Sequence, residues 1–209
     1  MTTRTKKKTV IDTCTIFMVK KISNFFWEAA DTWSYKNNTI ASYYNKSIEE
    51  EYQKECEACG VSSNSKVLHI GCGAYPLTEI VLASCCSGTL VGIDKNPLAV
   101  QRAQEVIQRH HLQKRIIVHH GNGINYPVDD FDLILISSCS FPKAQILEHL
   151  FKNTKHHCTI IVREISLATA DILDCIHAHP EIEMIHQMHH TPFPFYGPFG
   201  WETFYLRKK

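Results

Sequence analysis

Two short glycine turns and the polar residues between them are where this sequence concentrates its chemistry. Val67 to Ile70 is an apolar run that leads straight into Gly71-Cys72-Gly73. Glycines at such a turn allow sharp backbone angles and close approach of a ligand. Further on, the apolar run "LVGID" ends in Asp94, with Lys95 beside it, and "RIIVHH" ends in the turn Gly121-Asn122-Gly123. The run "FDLILI" ends in Ser137 and Ser138. A carboxylate at Asp94 can accept hydrogen bonds from both hydroxyls of a ribose, and the Asn122 amide can meet the edge of an adenine. Each feature also has a plainer use. Asp94 and the serines are helix-cap residues, and Gly-Asn-Gly is an ordinary turn.

These residues need a frame that brings them together. From residue 66 the chain alternates apolar strands with amphipathic helices. The helices begin at "PLTEIVLASCC", "NPLAVQRAQEVIQRHH", "PKAQILEHLFKNT" and "LATADILDCIHAH". Asn96 is the expected cap of the second, and Pro76 and Pro97 suit first turns, where a missing N–H costs nothing. This alternation predicts a parallel sheet covered by helices on both faces. In such a sheet the ligand lies beyond the carboxyl ends of the strands, where the glycine turns, Asp94 and the serines all fall. The last two strands, "EIEMIHQMHH" and "WETFYLRK", have only an aromatic loop between them, so the final strand is expected to run antiparallel. Residues 9–60 read as two helices broken at Asn37-Asn38. Val10, Ile11, Ile16, Phe17, Val19, Ile22, Phe25 and Phe26 are spaced to give the first one a broad buried face. The expected division is a helical cap over residues 1–60 and an α/β domain over residues 61–209.

Composition narrows the function. A chain of 209 residues suffices for one full core plus a small appendage. The net charge of +1 gives no overall field toward nucleic acid or membrane. No apolar run is long enough to span a bilayer, and Asp12, Lys20 and Lys21 spoil the signal-peptide pattern near the start. Nine scattered cysteines do not form a secreted disulfide framework. A cytoplasmic protein is expected, with no nucleic-acid or membrane partner. Cys56 and Cys59 make a lone C-x-x-C without a second pair at finger-like spacing, and the four His doublets read as surface and strand-end residues, so no metal is assigned.

The order of these motifs resembles the class I S-adenosylmethionine-dependent methyltransferase superfamily over residues 66–207. That resemblance implies a Rossmann-like, mostly parallel seven-stranded sheet with an antiparallel last strand, and S-adenosylmethionine across the strand tips. It places Gly71, Cys72 and Gly73 at the methionine part, Asp94 at the ribose, and Asn122 and Gly123 at the adenine. His69, Lys95 and Ser137 are counted with the cofactor site, and Ser138 with the reacting groups. Two positions depart from the superfamily loop: His69 stands where an acid is usual, and Tyr75 where a third glycine is usual. Tyr75 is therefore expected to shape the methionine end of the pocket.

The stretch "GCGAYPLTEIVLA" is more specifically similar to the loop of nicotianamine synthase and its archaeal relatives, through Pro76, Leu77 and Thr78. Pro142, Lys143 and Arg163 resemble later blocks of that family. The family draws a tyrosine and an acid-base glutamate from a helical domain ahead of the loop. Tyr44 is the best match for the tyrosine, and Glu28 and Glu55 are candidates for the glutamate by sequence proximity only. The first expectation is methyl transfer to a small-molecule acceptor. The alternative is transfer of the 3-amino-3-carboxypropyl group to an amine, releasing methylthioadenosine. A homodimer is compatible with the many aromatics of the first helices.

Overall fold

The computed structural model describes residues 10–59, 64–192 and 200–209. Seven strands form one sheet in the order β3-β2-β1-β4-β5-β7-β6. They are β1 (Val67–Ile70), β2 (Leu90–Asp94), β3 (Ile116–His120), β4 (Leu133–Ile136), β5 (Thr159–Ile165), β6 (Ile182–His190) and β7 (Trp201–Lys208). The first five pair in parallel, and β7 runs antiparallel between β5 and β6. The order reverses between β1 and β4, so the carboxyl end of β1 opens onto the switch point where such sheets bind ligands.

Strand burial follows position in the sheet. Central β1 and β4 are buried along their whole length, while edge strand β3 alternates and exposes His119 and His120. The two faces carry separate cores. Leu68, Ile70, Ile134 and Ile136 pack with Ile146, Leu147 and Leu150 of α5 (Lys143–Asn153). Val67, Leu133 and Leu135 pack on the opposite face with Leu82 of α3 (Leu77–Cys85) and Ala103 and Ile107 of α4 (Pro97–Arg109). The Asn96 side chain caps α4 by accepting from the Leu98 N–H at 3.0 Å, with Pro97 following it. The region expected as one last helix splits into a 3-10 turn, Ser166–Ala168, and α6 (Ala170–His177).

Two helices precede the sheet, α1 (Val10–Lys36) and α2 (Asn38–Cys59). Asn37 separates them and accepts from the Thr39 N–H at 3.0 Å, as an N-cap does. A third apolar cluster ties them down: Ile48, Leu77, Val81 and Trp201, with Trp27, Tyr52 and Tyr75 against it. The apolar face expected for α1 lies elsewhere. Phe17, Ile22, Phe25 and Phe26 are exposed, and Phe25 is 75% so. The inward residues of α1 are instead Trp27, Ala30, Asp31 and Ser34, because this side of the helix closes over a polar cavity rather than a core. The side chains of Val10, Ile11 and Ile16 lie outside the described residues, as do residues 193–199 of the aromatic loop.

Candidate functional site

The carboxyl ends of β1, β2 and β4 open into a cavity of about 470 Å³ that α1 and α2 cover. The glycine turn forms its floor. Gly71 and Gly73 have φ of +86° and +69°, conformations that L side chains rarely adopt. The Gly71 and Cys72 N–H groups donate to the Ile93 carbonyl at 2.8 and 3.1 Å, which extends the β1–β2 ladder into the turn. Asp94 then locks the turn from the side. Its Oδ2 accepts from Gly73 N–H at 3.1 Å, and its Oδ1 from Asn96 N–H at 2.8 Å. Each oxygen keeps a further lone pair, and the residue lines the cavity.

His69 has a defined hydrogen-bonding role. Ser137 Oγ donates its one proton to the Gly71 carbonyl at 2.9 Å. The 2.8 Å contact between Ser137 Oγ and His69 Nε2 must therefore be donated by the imidazole. On its other side His69 Nδ1 meets Glu79 Oε1 at 2.8 Å, with both side chains buried. An acid in the first turn of α3 thus pairs with His69. The second Glu79 oxygen is buried without a hydrogen-bond partner among the described residues.

The cap contributes a carboxyl aimed at the same turn. Asp31 Oδ2 accepts from Ala74 N–H at 3.2 Å. A Cβ on Gly73 would collide with that oxygen, so the glycine is what lets α1 approach. Burial pushes the Asp31 carboxyl up to about 8, and the negative charges of Asp94 and Glu79 push the same way against the Ala74 and Tyr75 amides. Glu28, one turn earlier on α1, also lines the cavity and is exposed.

Behind the cavity lies a buried ionic knot. Arg163 on β5 donates to Glu55 Oε2 through Nε at 2.8 Å and Nη2 at 2.6 Å, and to Thr78 Oγ1 at 2.8 Å. Its guanidinium lies 3.7 Å from the centre of the Tyr52 ring. Thr203 Oγ1 and Trp201 Nε1 donate to Glu55 Oε1 at 2.5 and 3.3 Å. Lys143 closes the strand tips, donating to the carbonyls of Ser137, of Ser138 at 3.3 Å and of Arg163 at 3.0 Å. Burial lowers its amine to about 8. Glu55 is thus committed to structure, and Glu28 is the glutamate left facing the cavity.

The structure brings His69, Gly71, Gly73, Tyr75, Asp94, Lys95, Asn122, Gly123, Ser137 and Ser138 to one cavity. Their placement is not uniform. Cys72 lines the same cavity but packs in the core with Val118 and Leu135. Gly123 is needed for packing, since a Cβ there would press on Ile70. Asn122 folds its own turn, its Oδ1 accepting from Ile124 N–H at 3.2 Å, which leaves the NH₂ group exposed. Lys95 is exposed, with Nζ 3.5 Å from the Phe141 carbonyl. The Tyr75 hydroxyl lies 3.4 Å from His110 Nε2 beyond the end of α4, while the residue also lines the cavity. Tyr44 belongs to α2 by its backbone, and its side chain lies outside the described residues. Asp31 and Glu79 carry no local motif. The only sequence signal for Glu79 is its place in the first turn of the helix after the glycines.

Comparison with known proteins gives this arrangement its kinship. Residues 26–193 match the family model described as nicotianamine synthase protein. L-histidine 2-aminobutanoyltransferase of Yersinia pestis is 27% identical over 138 residues, which is 65% of this chain and 51% of the relative. Demethylmenaquinone methyltransferase of Lactobacillus johnsonii is 26% identical over 161 residues, 74% of this chain and 64% of the relative. The chain therefore spans about half the length of the first relative and less than two thirds of the second. A crystal structure of a mutant of MtNAS in complex with S-adenosylmethionine superposes with a TM-score of 0.72 at 13% identity, covering 93% of this chain and 78% of that one. The family match takes in the second half of α1, α2, the glycine loop and the sheet through β6, and on that span the chain belongs to the nicotianamine synthase protein family.

Proposed function

We propose that this protein is an S-adenosylmethionine-dependent transferase that moves the 3-amino-3-carboxypropyl group to the amine of a small acceptor and leaves methylthioadenosine. The residues present fit that cofactor. Asp94 keeps free lone pairs for a ribose diol at the tip of β2. Ile70, Ile146 and Phe141 give an apolar wall beside the Gly121–Gly123 turn for a base. The glycine turn leaves room for the methionine portion. S-adenosylmethionine supplies an activated sulfonium whose bonds to carbon are all open to a nucleophile. The choice among those bonds is made by where the protein holds the acceptor.

The observation that carries the reading is the match of residues 26–193 to the nicotianamine synthase model, and Asp31 is the group on the cap that serves it. Its side chain is an enclosed carboxyl, held on the cap directly over the glycine loop, and no cation partners it among the described residues. A carboxyl of that kind attracts the positive charges of the cofactor and receives the proton that an attacking ammonium must lose. Glu28 extends the acidic wall toward the cavity mouth and suits a cationic acceptor such as an amino acid. Methyl transfer is the second reading. It is favoured by the sheet topology common to class I methyltransferases and by similarity to the methyltransferase from Lactobacillus johnsonii. An amine that attacks the methyl carbon loses the same proton, so the match of residues 26–193 to the nicotianamine synthase model is what favours the first reading.

Two labelled forms of S-adenosylmethionine separate the readings. With a pool of amino acids as acceptors, label in the carboxyl carbon is expected to appear in the product and label in the S-methyl group to stay with the adenosine thioether. Transfer of the methyl label to the acceptor would establish the second reading and exclude the first.

A further inference from the structure

Arg163 and Lys143 are buried cations behind the cavity, and they spend their protons differently. Lys143 has three N–H groups and donates to three backbone carbonyls, those of Ser137, Ser138 and Arg163. Arg163 has five and donates three of them, two to Glu55 and one to Thr78. One N–H on each terminal nitrogen is left without a partner among the described residues. The residue is only 4% exposed, and it lines the cavity. Buried donors are nearly always met, so a pair left over on a cavity wall calls for a hydrogen-bond acceptor in the cavity. The Tyr52 ring, 3.7 Å away, covers one face of the guanidinium and leaves the in-plane N–H groups to bind. Glu55 does not exhaust the arginine, because its carboxylate also accepts from Thr203 and Trp201.

The sheet order limits what can fill that place. Across the strand tips from β3 to β5, the Gly121–Gly123 turn comes first, then Asp94, then the glycine loop after β1, then Ser137 after β4, and Arg163 on β5 last. S-adenosylmethionine laid along that line, with its base and ribose at the places given above, turns its amino acid end toward β4 and β5. We infer that Arg163 forms a carboxylate site in this cavity, its two spare N–H groups holding the α-carboxylate of the cofactor's 3-amino-3-carboxypropyl group. A carboxylate matches paired guanidinium N–H groups in spacing and in charge. The hydrogen bond to Thr78 draws the guanidinium toward the first turn of α3, directly after the glycine loop. Fixing the carboxylate fixes the chain between it and the sulfonium, and with it the γ-carbon that the acceptor must reach. The site depends on S-adenosylmethionine being the cofactor, as in the function proposed above, and deepens that reading.

The test compares ligands on the unaltered chain by isothermal titration calorimetry. S-adenosylmethionine should bind at least about tenfold more tightly than decarboxylated S-adenosylmethionine, which lacks only the carboxylate. The acidic wall of Asp31, Asp94 and Glu28 acts in the opposite sense, since the decarboxylated analogue carries one more net positive charge. Equal affinities, or tighter binding of the analogue, would overturn the proposal. Arg163→Lys keeps a charge beside Glu55 and removes the paired N–H geometry. It should lower the affinity for S-adenosylmethionine about tenfold and change that for the decarboxylated analogue and for methylthioadenosine by less than about twofold. A variant that weakens all three ligands alike would make Arg163 purely structural and overturn the carboxylate site. The failures are distinguishable. Methylthioadenosine bound with no preference for the carboxylate would remove this site alone. Transfer of the S-methyl label with the carboxylate preference intact would remove the aminocarboxypropyl reading alone.

Discussion

Asp94 and Asp31 face each other across one glycine loop, and their environments assign them different work. Asp94 is held by two backbone N–H groups and shapes the turn, and the proposed function gives it the ribose as well. Asp94→Ala is expected to weaken S-adenosylmethionine binding by more than about tenfold, the loss expected when a pair of hydrogen bonds to a carboxylate is removed. Isothermal titration calorimetry checks it, and unchanged affinity would remove Asp94 from the ribose site. Asp31 is distinguished by its pH response. Its carboxyl titrates near 8 in the free protein, well above its unfolded value, so its proton is bound more tightly in the folded chain. Its contribution to stability is therefore full at acid pH and declines as pH rises toward and through about 8. A cationic cofactor favours the ionised form, so affinity should rise with pH up to about 8 and level off above it. In Asp31→Asn that slope should vanish, as measured by calorimetry from acid to mildly alkaline pH. A slope that persists in the variant would assign the proton to another group.

At the scale of elements, the buried knot around Glu55 decides how the cap sits on the sheet. α2 supplies Glu55 and Tyr52, β5 supplies Arg163, and β7 supplies Trp201 and Thr203. Glu55→Ala would leave the Arg163 guanidinium buried without its carboxylate. Urea unfolding should show a loss of about 3–5 kcal/mol, the usual cost of breaking a buried pair from one side. The two faces of α1 make a sharper contrast. Phe25→Ser removes an exposed side chain and should change stability by less than about 0.5 kcal/mol. Trp27→Ala removes an edge-to-face contact with Trp201 at 6.2 Å and should cost about 2–4 kcal/mol. Equal effects of the two substitutions would contradict the packing of α1.

This helix also shows what a sequence conceals. Apolar periodicity marked Phe17, Ile22, Phe25 and Phe26 as inward, yet the inward side is drawn by the cavity and carries Asp31. Periodicity reports apolar spacing, and it has no means of registering that a helix covers a polar site. The sheet was far more legible, because "LHI" and "LILI" can be buried on both faces only in the middle of a parallel sheet. The glycine turns, Asp94 and the serines were legible for the same reason, being fixed to strand ends. The His69–Glu79 pair was not, because it joins residues through the packing of a helix, and spacing along the chain does not encode that packing.

The molecule as a whole couples an S-adenosylmethionine-type sheet to a short helical cap, and the function proposed above requires the cap to determine which carbon of the cofactor meets the acceptor. The direct measurement of that claim is the identity of the adenosine thioether left after turnover. Purified protein, S-adenosylmethionine and a pool of amino acids should be incubated together and the thioethers separated by chromatography. Methylthioadenosine above the background of spontaneous cofactor breakdown, lost in Asp31→Asn, is the result predicted here. S-adenosylhomocysteine in its place would mean that the cap presents the acceptor to the methyl group, and the account of Asp31 would be wrong.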